Sequence, residues 1–341
     1  MKDIDVIELQ VPYSNKMSFL RRALAFFHYA SRSARVALSE SYDLVFATST
    51  PLTAAITGIV AYRLRRKPFI FEVRDLWPDL PRQMGVIRNP AVLLAMKLLE
   101  RTAYRSAVGC IGLAPGIVEG IVNAGGNANT TIMIPNGCDL ELFQPVARRR
   151  EPGEDFRAVF AGTHGIANGL DAVLHAAKVL KRRRRDDIRI EFIGDGALKA
   201  KLIQRARTEA LDNCVFRDPL PRRELAIDLP SADVGLQILA DVPGFYLGTS
   251  PNKFFDYLAS GIPVLTNYTG WVAEMIESHT CGIAVPPNDA VAFANALEYL
   301  ADAPVKLHEM GVNARRLGEN EFDRLHLAER FVACLENAVS L

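Results

Sequence analysis

Short apolar runs alternate with amphipathic helical patterns along almost the whole 341-residue chain, and this alternation occurs in two series. The series are separated by an aperiodic stretch, Cys138 to Asp155, which contains two prolines, a glycine and three consecutive arginines. Strand–helix alternation builds parallel sheets covered by helices, and the chain is too long for one ordinary core. The sequence therefore predicts an α/β fold of two Rossmann-like domains, residues 1–147 and 148–322, with a C-terminal helix, 323–341, that packs back on the first domain.

The charge balance argues against a protein that binds nucleic acid. Lys and Arg number 40 and Asp and Glu 39, a net charge of +1, so any anion site must be local. The five cysteines form no C-x-x-C pair, which indicates reduced thiols. Leu44–Tyr62 is uncharged, but Thr, Ser, Gly and Pro interrupt it, and the N-terminus lacks a signal-peptide pattern. We expect a cytoplasmic protein, soluble or peripheral on the inner membrane face.

The N-terminal segment has a strand pattern followed by a helical one. Ile4–Val11 has strand character, and Met17–Leu38 is predicted to form a helix. Basic residues such as Arg21 and Arg22 stand beside phenylalanines on this helix, which would suit an anionic membrane surface. A core helix with a solvated face explains the same pattern equally well.

The stretch from Ser250 to Val264 predicts the start of a helix, a glycine that ends the helix, and a buried strand. Ser250 is a plausible N-cap and Pro251 suits the first helical position, so free N–H groups and the Lys253 ammonium would be available to a phosphate. Asp256 follows within the next turn and can accept hydrogen bonds from ribose hydroxyls. The residues predicted to hold a nucleotide here are Pro251, Asn252, Lys253 and Asp256.

Further polar and glycine-rich turns follow other predicted strands, where a doubly wound sheet places its ligands. A glycine loop after one strand can approach a diphosphate closely, although such glycines serve ordinary tight turns at least as often. The candidate residues of the second domain are Gly162, His164, Gly165, Gly194, Asp195, Gly196, Phe216 and Arg217. The last two either line the site against a flat base or belong to an ordinary exposed turn. In the first domain, Arg74 and Asp75 end the strand that begins at Pro68 and open a Pro-rich loop.

Other chemistries find little support in the sequence. No H-E-x-x-H, P-loop lysine, G-x-S-x-G or zinc spacing occurs, and the G-x-G-x-x-G fingerprint of dinucleotide enzymes is absent. These absences give no support for a metal site or a tightly bound cofactor.

Three motifs together resemble family 4 glycosyltransferases, which have the GT-B fold of two Rossmann-like domains facing across a cleft. Ile134–Asp139 with Phe143 and Pro145 is similar to the P-N-G-V-D…F-P linker signature. Phe192–Gly196 is similar to the V-G-D-G strand, and Phe254–Val264 to the helix ending in A-x-G-x-P-V. Two further segments, Phe71–Pro78 and Pro251–Lys253, resemble the bacterial L-fucosamine transferase-like branch that makes surface polysaccharide.

The resemblance implies transfer of a sugar from a nucleotide donor, usually UDP-linked, with retention of configuration and without a metal. The second glutamate of the family's E-x7-E motif, which holds the ribose, aligns with Asp256, and the first falls on Gly248. A family lysine before a glycine aligns with Asn168, so Lys253 becomes the candidate cation for the leaving diphosphate. Arg74 and Asp75 stand where the family often has a His-Asp pair near the reacting sugar or acceptor.

We therefore expect a retaining glycosyltransferase that moves a sugar, in this branch an N-acetylated 6-deoxyhexosamine, from a UDP-sugar to a polyprenyl-diphosphate-linked saccharide in O-antigen or capsule synthesis. Family members usually open with a strand and a glycine-rich loop, and this chain is expected to lack both, with turnover impaired. Two alternatives stay open: a non-catalytic sugar-nucleotide binder, favoured by Gly248 and Asn168, and another GT-B enzyme such as a nucleotide-sugar epimerase.

Overall fold

The computed structural model describes residues 4–14, 17–146, 150–151 and 153–340, which divide into two compact units. The first unit comprises Met1–Pro135, Leu247–Thr249 and Ala328–Leu341, and the second comprises Asn136–Tyr246 and Ser250–Leu327. The second unit therefore begins eleven residues before residue 147, where the sequence placed the domain boundary, and most of the C-terminal segment belongs with the first unit.

The first unit contains a parallel sheet whose four described strands follow chain order, β1-β2-β3-β4. Apolar residues fill the middle strands: Phe69, Phe71 and Ile111 are fully buried. The elements are α1 (Phe19–Ser39), β1 (Val45–Thr48), α2 (Ala55–Arg65), β2 (Phe69–Val73), α3 (Asp79–Gln83), α4 (Pro90–Ser106), β3 (Gly109–Gly112), α5 (Pro115–Asn123) and β4 (Thr131–Met133).

The predicted strand at Ile4–Val11 is wrong. Residues 4–14 contain no strand, and Ile4, Val6 and Ile7 are 64%, 80% and 57% exposed. An apolar pattern makes a strand only where a neighbouring backbone and a core accept it, and neither is present along this segment.

Helix α1 forms close to its predicted bounds and packs on α2, where the hydroxyl of Ser33 lies 2.7 Å from that of Thr57. Leu20, Leu24 and Phe27, three large apolar residues of this helix, are 68%, 61% and 57% exposed. The core-helix interpretation therefore does not account for these three side chains. Across the described ranges, no helix is both long and apolar enough to cross a membrane.

The second unit contains a six-stranded parallel sheet with the order β10-β9-β8-β5-β6-β7. The order reverses at β5, and in such sheets ligands bind beyond the carboxyl ends of the strands at the point of reversal. The elements are β5 (Phe156–Ala161), α6 (Asp171–Arg182), β6 (Ile188–Ile193), α7 (Lys199–Thr208), β7 (Cys214–Arg217), α8 (Arg222–Asp228), β8 (Val234–Gln237), α9 (Pro243–Gly248), α10 (Asn252–Ala259), β9 (Val264–Thr266), α11 (Trp271–Ser278), β10 (Gly282–Ala284), α12 (Ala290–Asp302) and α13 (Pro304–Glu321). The last two residues of α9 belong to the first unit, as does most of the final helix, α14 (Arg324–Val339).

Aromatic side chains in register fill the centre of this second sheet. Phe160 on β5 pairs with Phe192 on β6, which pairs with Phe216 on β7. Phe192 and Phe216 stack with ring centroids 4.7 Å apart and planes 10° apart. These three phenylalanines lie next to the loop that follows β5 and give it a rigid, closely packed support.

Candidate functional site

The glycine loops after β5 and β6 pack directly against each other. A Cβ on Gly194 would lie 2.0 Å from the carbonyl oxygen of Gly162, and one on Gly196 would lie 2.5 Å from that of His164. Both glycines also have a φ in the left-handed region, 147° and 159°. The packing of the two loops thus accounts for these glycines, as the turn interpretation expects.

Backbone hydrogen bonds hold the two loops together. The His164 N–H donates to the carbonyl of Asp195 at 2.9 Å, and the carboxylate of Asp195 accepts the N–H of Gly196 at 2.8 Å. Gly165 precedes a short 3-10 turn, Ile166–Asn168. The loops therefore form one fixed platform at the carboxyl end of the sheet.

The side chain of His164 is fully buried among phenylalanines. Its ring centroid lies 6.0 Å from that of Phe160 and 6.3 Å from those of Phe192 and Phe216. Neither ring nitrogen has a hydrogen-bond partner within the residues that the structure covers. Burial lowers the pKa of this imidazole, and the nearby Lys199 lowers it further against an opposing effect of Asp195. The imidazole is therefore neutral. It packs into the core instead of pointing out from the loop.

Replacing His164 with leucine should stabilise the protein, by about 1–3 kcal/mol, because it removes buried polar atoms that lack partners. The gain should grow in acid. The folded pKa lies below the unfolded value of about 6.5, so the unfolded state binds more protons below that pH and wild-type stability falls there. Urea unfolding at about pH 7.5 and about pH 5.5 measures both effects. His175→Leu, at an exposed position of α6, is the control, and an equal pH dependence in wild type and H164L would contradict the prediction.

Lys253, on the first turn of α10, lies against the loop after β5. Its ammonium donates to Oδ1 of Asn168 at 3.1 Å and lies 4.7 Å from the centroid of Phe160. A Cβ on Gly162 would come within 2.9 Å of the lysine Cε, so the glycine leaves room for this side chain. Burial lowers the pKa of Lys253 to about 8. The structure thus brings a desolvated cation to Asn168, the position where the resemblance expects a lysine.

The start of α10 differs from the predicted capping. The N-cap is Pro251 and the helix begins at Asn252, an exposed residue. The predicted N-cap, Ser250, is wrong because its hydroxyl accepts the backbone N–H of Asn136 at 3.0 Å, and its carbonyl accepts the amide of the same asparagine. The P-N-G segment is therefore fastened to the residues that lead into α10.

Asp256 is buried, at 6% exposure, and is paired with Arg222 at the start of α8. The guanidinium donates to Oδ1 at 3.0 Å and to Oδ2 at 3.3 Å. Burial raises the pKa of Asp256, and the hydrogen bond and charge of Arg222 oppose that rise. Arg222 could not be found from the sequence, because its partner stands 34 residues away and no motif marks the pair.

Phe216 and Arg217 both contact other side chains of the second unit. Phe216 is half-buried on Phe192, and the guanidinium of Arg217 lies 3.1 Å from Glu191 and 2.9 Å from Asp228. Arg157 shares both of these carboxylates, at 2.9 Å and 3.2 Å. The charge of Arg217 is therefore balanced within the protein.

Arg74 and Asp75, in the first unit, are held by hydroxyl side chains at the end of β1. The N–H of Arg74 donates to Oγ of Ser49 at 2.8 Å, and Thr50 donates to Asp75 at 3.1 Å. The guanidinium of Arg74 lies 3.9 Å from Glu72. Burial raises the pKa of Asp75, and the Thr50 hydrogen bond and the Arg74 charge oppose the rise. A carboxylate, a guanidinium and a hydroxyl thus meet at the carboxyl ends of β1 and β2.

Gly248 belongs to the short Leu247–Thr249 segment of the first unit. A Cβ at this glycine would meet only Ile117, at 3.8 Å, which is ordinary contact. Packing therefore does not require a glycine here.

Two family models cover most of the chain. Residues 1–137 match the Glycosyl transferase 4-like domain, and residues 146–317 match Glycosyl transferases group 1. The second match alone spans half of the sequence.

Relatives and solved structures agree with these matches. The chain is 25% identical to the probable glycosyltransferase WbjE of Pseudomonas aeruginosa over 96% of its own length and 84% of that protein. It is 24% identical to O-antigen chain mannosyltransferase C of Escherichia coli over 70% of its length and 63% of that protein. The structure of Anabaena Alr3699/HepE in complex with UDP and glucose matches with a TM-score of 0.71 at 16% identity, covering 92% of this chain and 81% of that one. The chain therefore belongs to the group 1 glycosyl transferases and has the GT-B fold of two Rossmann-like domains.

Proposed function

We propose that the protein is a retaining, hexosyl-type glycosyltransferase that transfers a sugar from a UDP-sugar to a lipid-linked saccharide in surface polysaccharide synthesis. The observation that carries the proposal is the ammonium of the half-buried Lys253, which lies beside Asn168 and Gly162 where the strand order of the second sheet reverses. A cation at that place suits the diphosphate of a nucleotide-sugar. HepE, a structural neighbour, was solved with UDP and glucose, and O-antigen mannosyltransferase C is named for surface polysaccharide.

The proposed chemistry needs charge stabilisation more than covalent work by the protein. The bond between the sugar C1 and the diphosphate oxygen breaks, and a bond from the acceptor hydroxyl oxygen to C1 forms on the same face. The proton of that hydroxyl leaves to the departing phosphate oxygen or to Asp75. Lys253 and the first N–H groups of α10 would balance the growing negative charge. In this scheme Asp256 binds the ribose, and no metal is needed.

The sugar and the acceptor come from the resemblance alone. We propose an N-acetylated 6-deoxyhexosamine as donor sugar, as in the L-fucosamine transferase-like branch, and a polyprenyl-diphosphate saccharide as acceptor. Helix α1 exposes three large apolar side chains, Leu20, Leu24 and Phe27, close in sequence to Arg21 and Arg22. This combination favours binding to an anionic membrane surface, where a lipid-linked acceptor would be found.

Release of UDP from a panel of UDP-sugars tests the proposal directly. We expect turnover with one UDP-sugar, only when a polyprenyl-diphosphate saccharide is present, and faster turnover when the acceptor is embedded in vesicles that contain anionic lipid. The product should keep the anomeric configuration of the donor by NMR. UDP binding without release from any member of the panel would favour the non-catalytic binder, and a changed sugar without transfer would favour an epimerase.

A further inference from the structure

Arg222 joins the carboxylate of Asp256 to the segment that follows the P-N-G motif. Its guanidinium binds both oxygens of Asp256, at 3.0 Å and 3.3 Å, and lies 3.6 Å from the carboxylate of Asp139. Its central carbon also lies 4.9 Å from the ring centroid of Phe143, a fully buried side chain. Three contacts of different kinds therefore fix one guanidinium within the second unit.

The same geometry leaves Asp256 able to bind a ligand. Each carboxylate oxygen has two lone pairs, and the two hydrogen bonds from Arg222 use one on each oxygen. The remaining lone pairs can accept the two hydroxyls of a ribose. The side chain of Asp256 is 8% exposed, whereas that of Arg222 is 43% exposed, so the arginine shields the carboxylate from water on one side. A carboxylate held by two hydrogen bonds in this way has one orientation rather than several.

We propose that Arg222 is a positioning residue for the nucleotide: it fixes the Asp256 carboxylate so that its free lone pairs meet the ribose 2′- and 3′-hydroxyls. This inference rests on the proposed function, because it assumes a nucleotide donor. Burial raises the pKa of Asp256, Arg222 and Arg324 oppose the rise, and Asp139 adds to it. With Arg222 removed, burial and Asp139 would favour the protonated acid, which accepts fewer hydrogen bonds.

Calorimetric titration of UDP and of 2′-deoxy-UDP separates positioning from general stabilisation. Wild type should bind UDP about tenfold more tightly than 2′-deoxy-UDP, since one hydrogen bond to a charged acceptor is lost. In Arg222→Gln the two ligands should bind with nearly equal affinity. Arg223→Gln, the exposed neighbouring arginine, is the matched control and should keep the wild-type ratio. A purely structural role for Arg222 would weaken both ligands together and leave their ratio unchanged.

A second readout follows from the ionisation of Asp256. As the solution is acidified from neutral pH, UDP binding to R222Q should weaken at a higher pH than UDP binding to wild type, because loss of Arg222 raises the pKa of the Asp256 carboxyl further. Arg222→Lys, which keeps the charge but not the two-pronged contact, should lower the UDP to 2′-deoxy-UDP ratio only in part. R222K decides the question if R222Q does not fold, and an unchanged ratio in R222K would then overturn the inference.

The outcomes distinguish the inference from the proposed function. Absence of UDP binding by wild type would overturn the proposed donor and the role of Arg222 with it. A wild type that binds UDP, together with an R222Q that keeps full discrimination against 2′-deoxy-UDP, would overturn the role of Arg222 alone. Tighter UDP binding by R222Q would also overturn it, since Arg222 would then be blocking Asp256.

Discussion

Replacing Lys253 with methionine should lower the rate of UDP release from the donor sugar by about 10²–10³-fold, comparable to losing one oxyanion-hole donor. Methionine keeps the length and the apolar contacts of the lysine stem and removes the charge. The ammonium lies in a desolvated place beside Asn168, where a charge acts more strongly on a diphosphate than it would in water. UDP affinity should fall as well, because the diphosphate carries its charge in the bound product too.

The pH dependence of K253M provides an independent check. The pKa of Lys253 is about 8, so the wild-type ammonium is lost as the pH rises from about 7 to about 9.5, and UDP affinity should weaken over that range. K253M should not show this change. Lys201→Met, at an exposed position on α7, is the control. Wild-type turnover in K253M would contradict the assignment.

Stability should change in the opposite direction to activity. The folded pKa of Lys253 lies below its unfolded value, so the unfolded state binds the extra proton between about pH 8 and about pH 10.5. Burial of the ammonium therefore lowers the stability of the folded state most below about pH 8. This loss of stability disappears as the pH rises to about 10.5. K253M should be more resistant to urea than wild type at neutral pH, as is common where a site carries strain for function.

Replacing Asp75 with asparagine should lower transfer to the acceptor by about 10²–10⁴-fold, the usual range for loss of a group that moves a proton. The change keeps the size of the side chain and can retain the hydrogen bond from Thr50. UDP affinity should not change, because the residues assigned to UDP belong to the second unit and Asp75 to the first. Asp43→Asn, at a side chain that is 86% exposed, is the matched control.

The acid limb of the rate profile tests the same assignment. Burial raises the pKa of Asp75, so its working anion is lost at a higher pH than for an ordinary carboxylate as the solution is acidified. Thr50→Val removes a hydrogen bond that lowers this pKa, and the acid limb should therefore move to still higher pH. Full transfer activity in D75N, or an unmoved acid limb in T50V, would show that Asp75 does not take part.

The sequence determined the features that depend on local pattern. Strand and helix periods predicted two α/β domains, and the GT-B fold is confirmed by the family models and the structural neighbours. The turn residues after β5 and β6 and the start of α10 were found to within one or two residues, because glycine turns and helix starts follow from neighbouring residues. Lys253 was named as the candidate cation on the same local basis.

Only the tertiary structure decided what those residues contact. Ile4–Val11 has a strand pattern but no partner strand, and His164 points into a phenylalanine row instead of the loop. The hydroxyl of Ser250 accepts the N–H of Asn136, 114 positions away, and Asp256 is held by Arg222, 34 positions away. Hydrogen bonds between residues so far apart in the sequence depend on which elements the fold brings together. No local sequence pattern specifies which of these residues will meet.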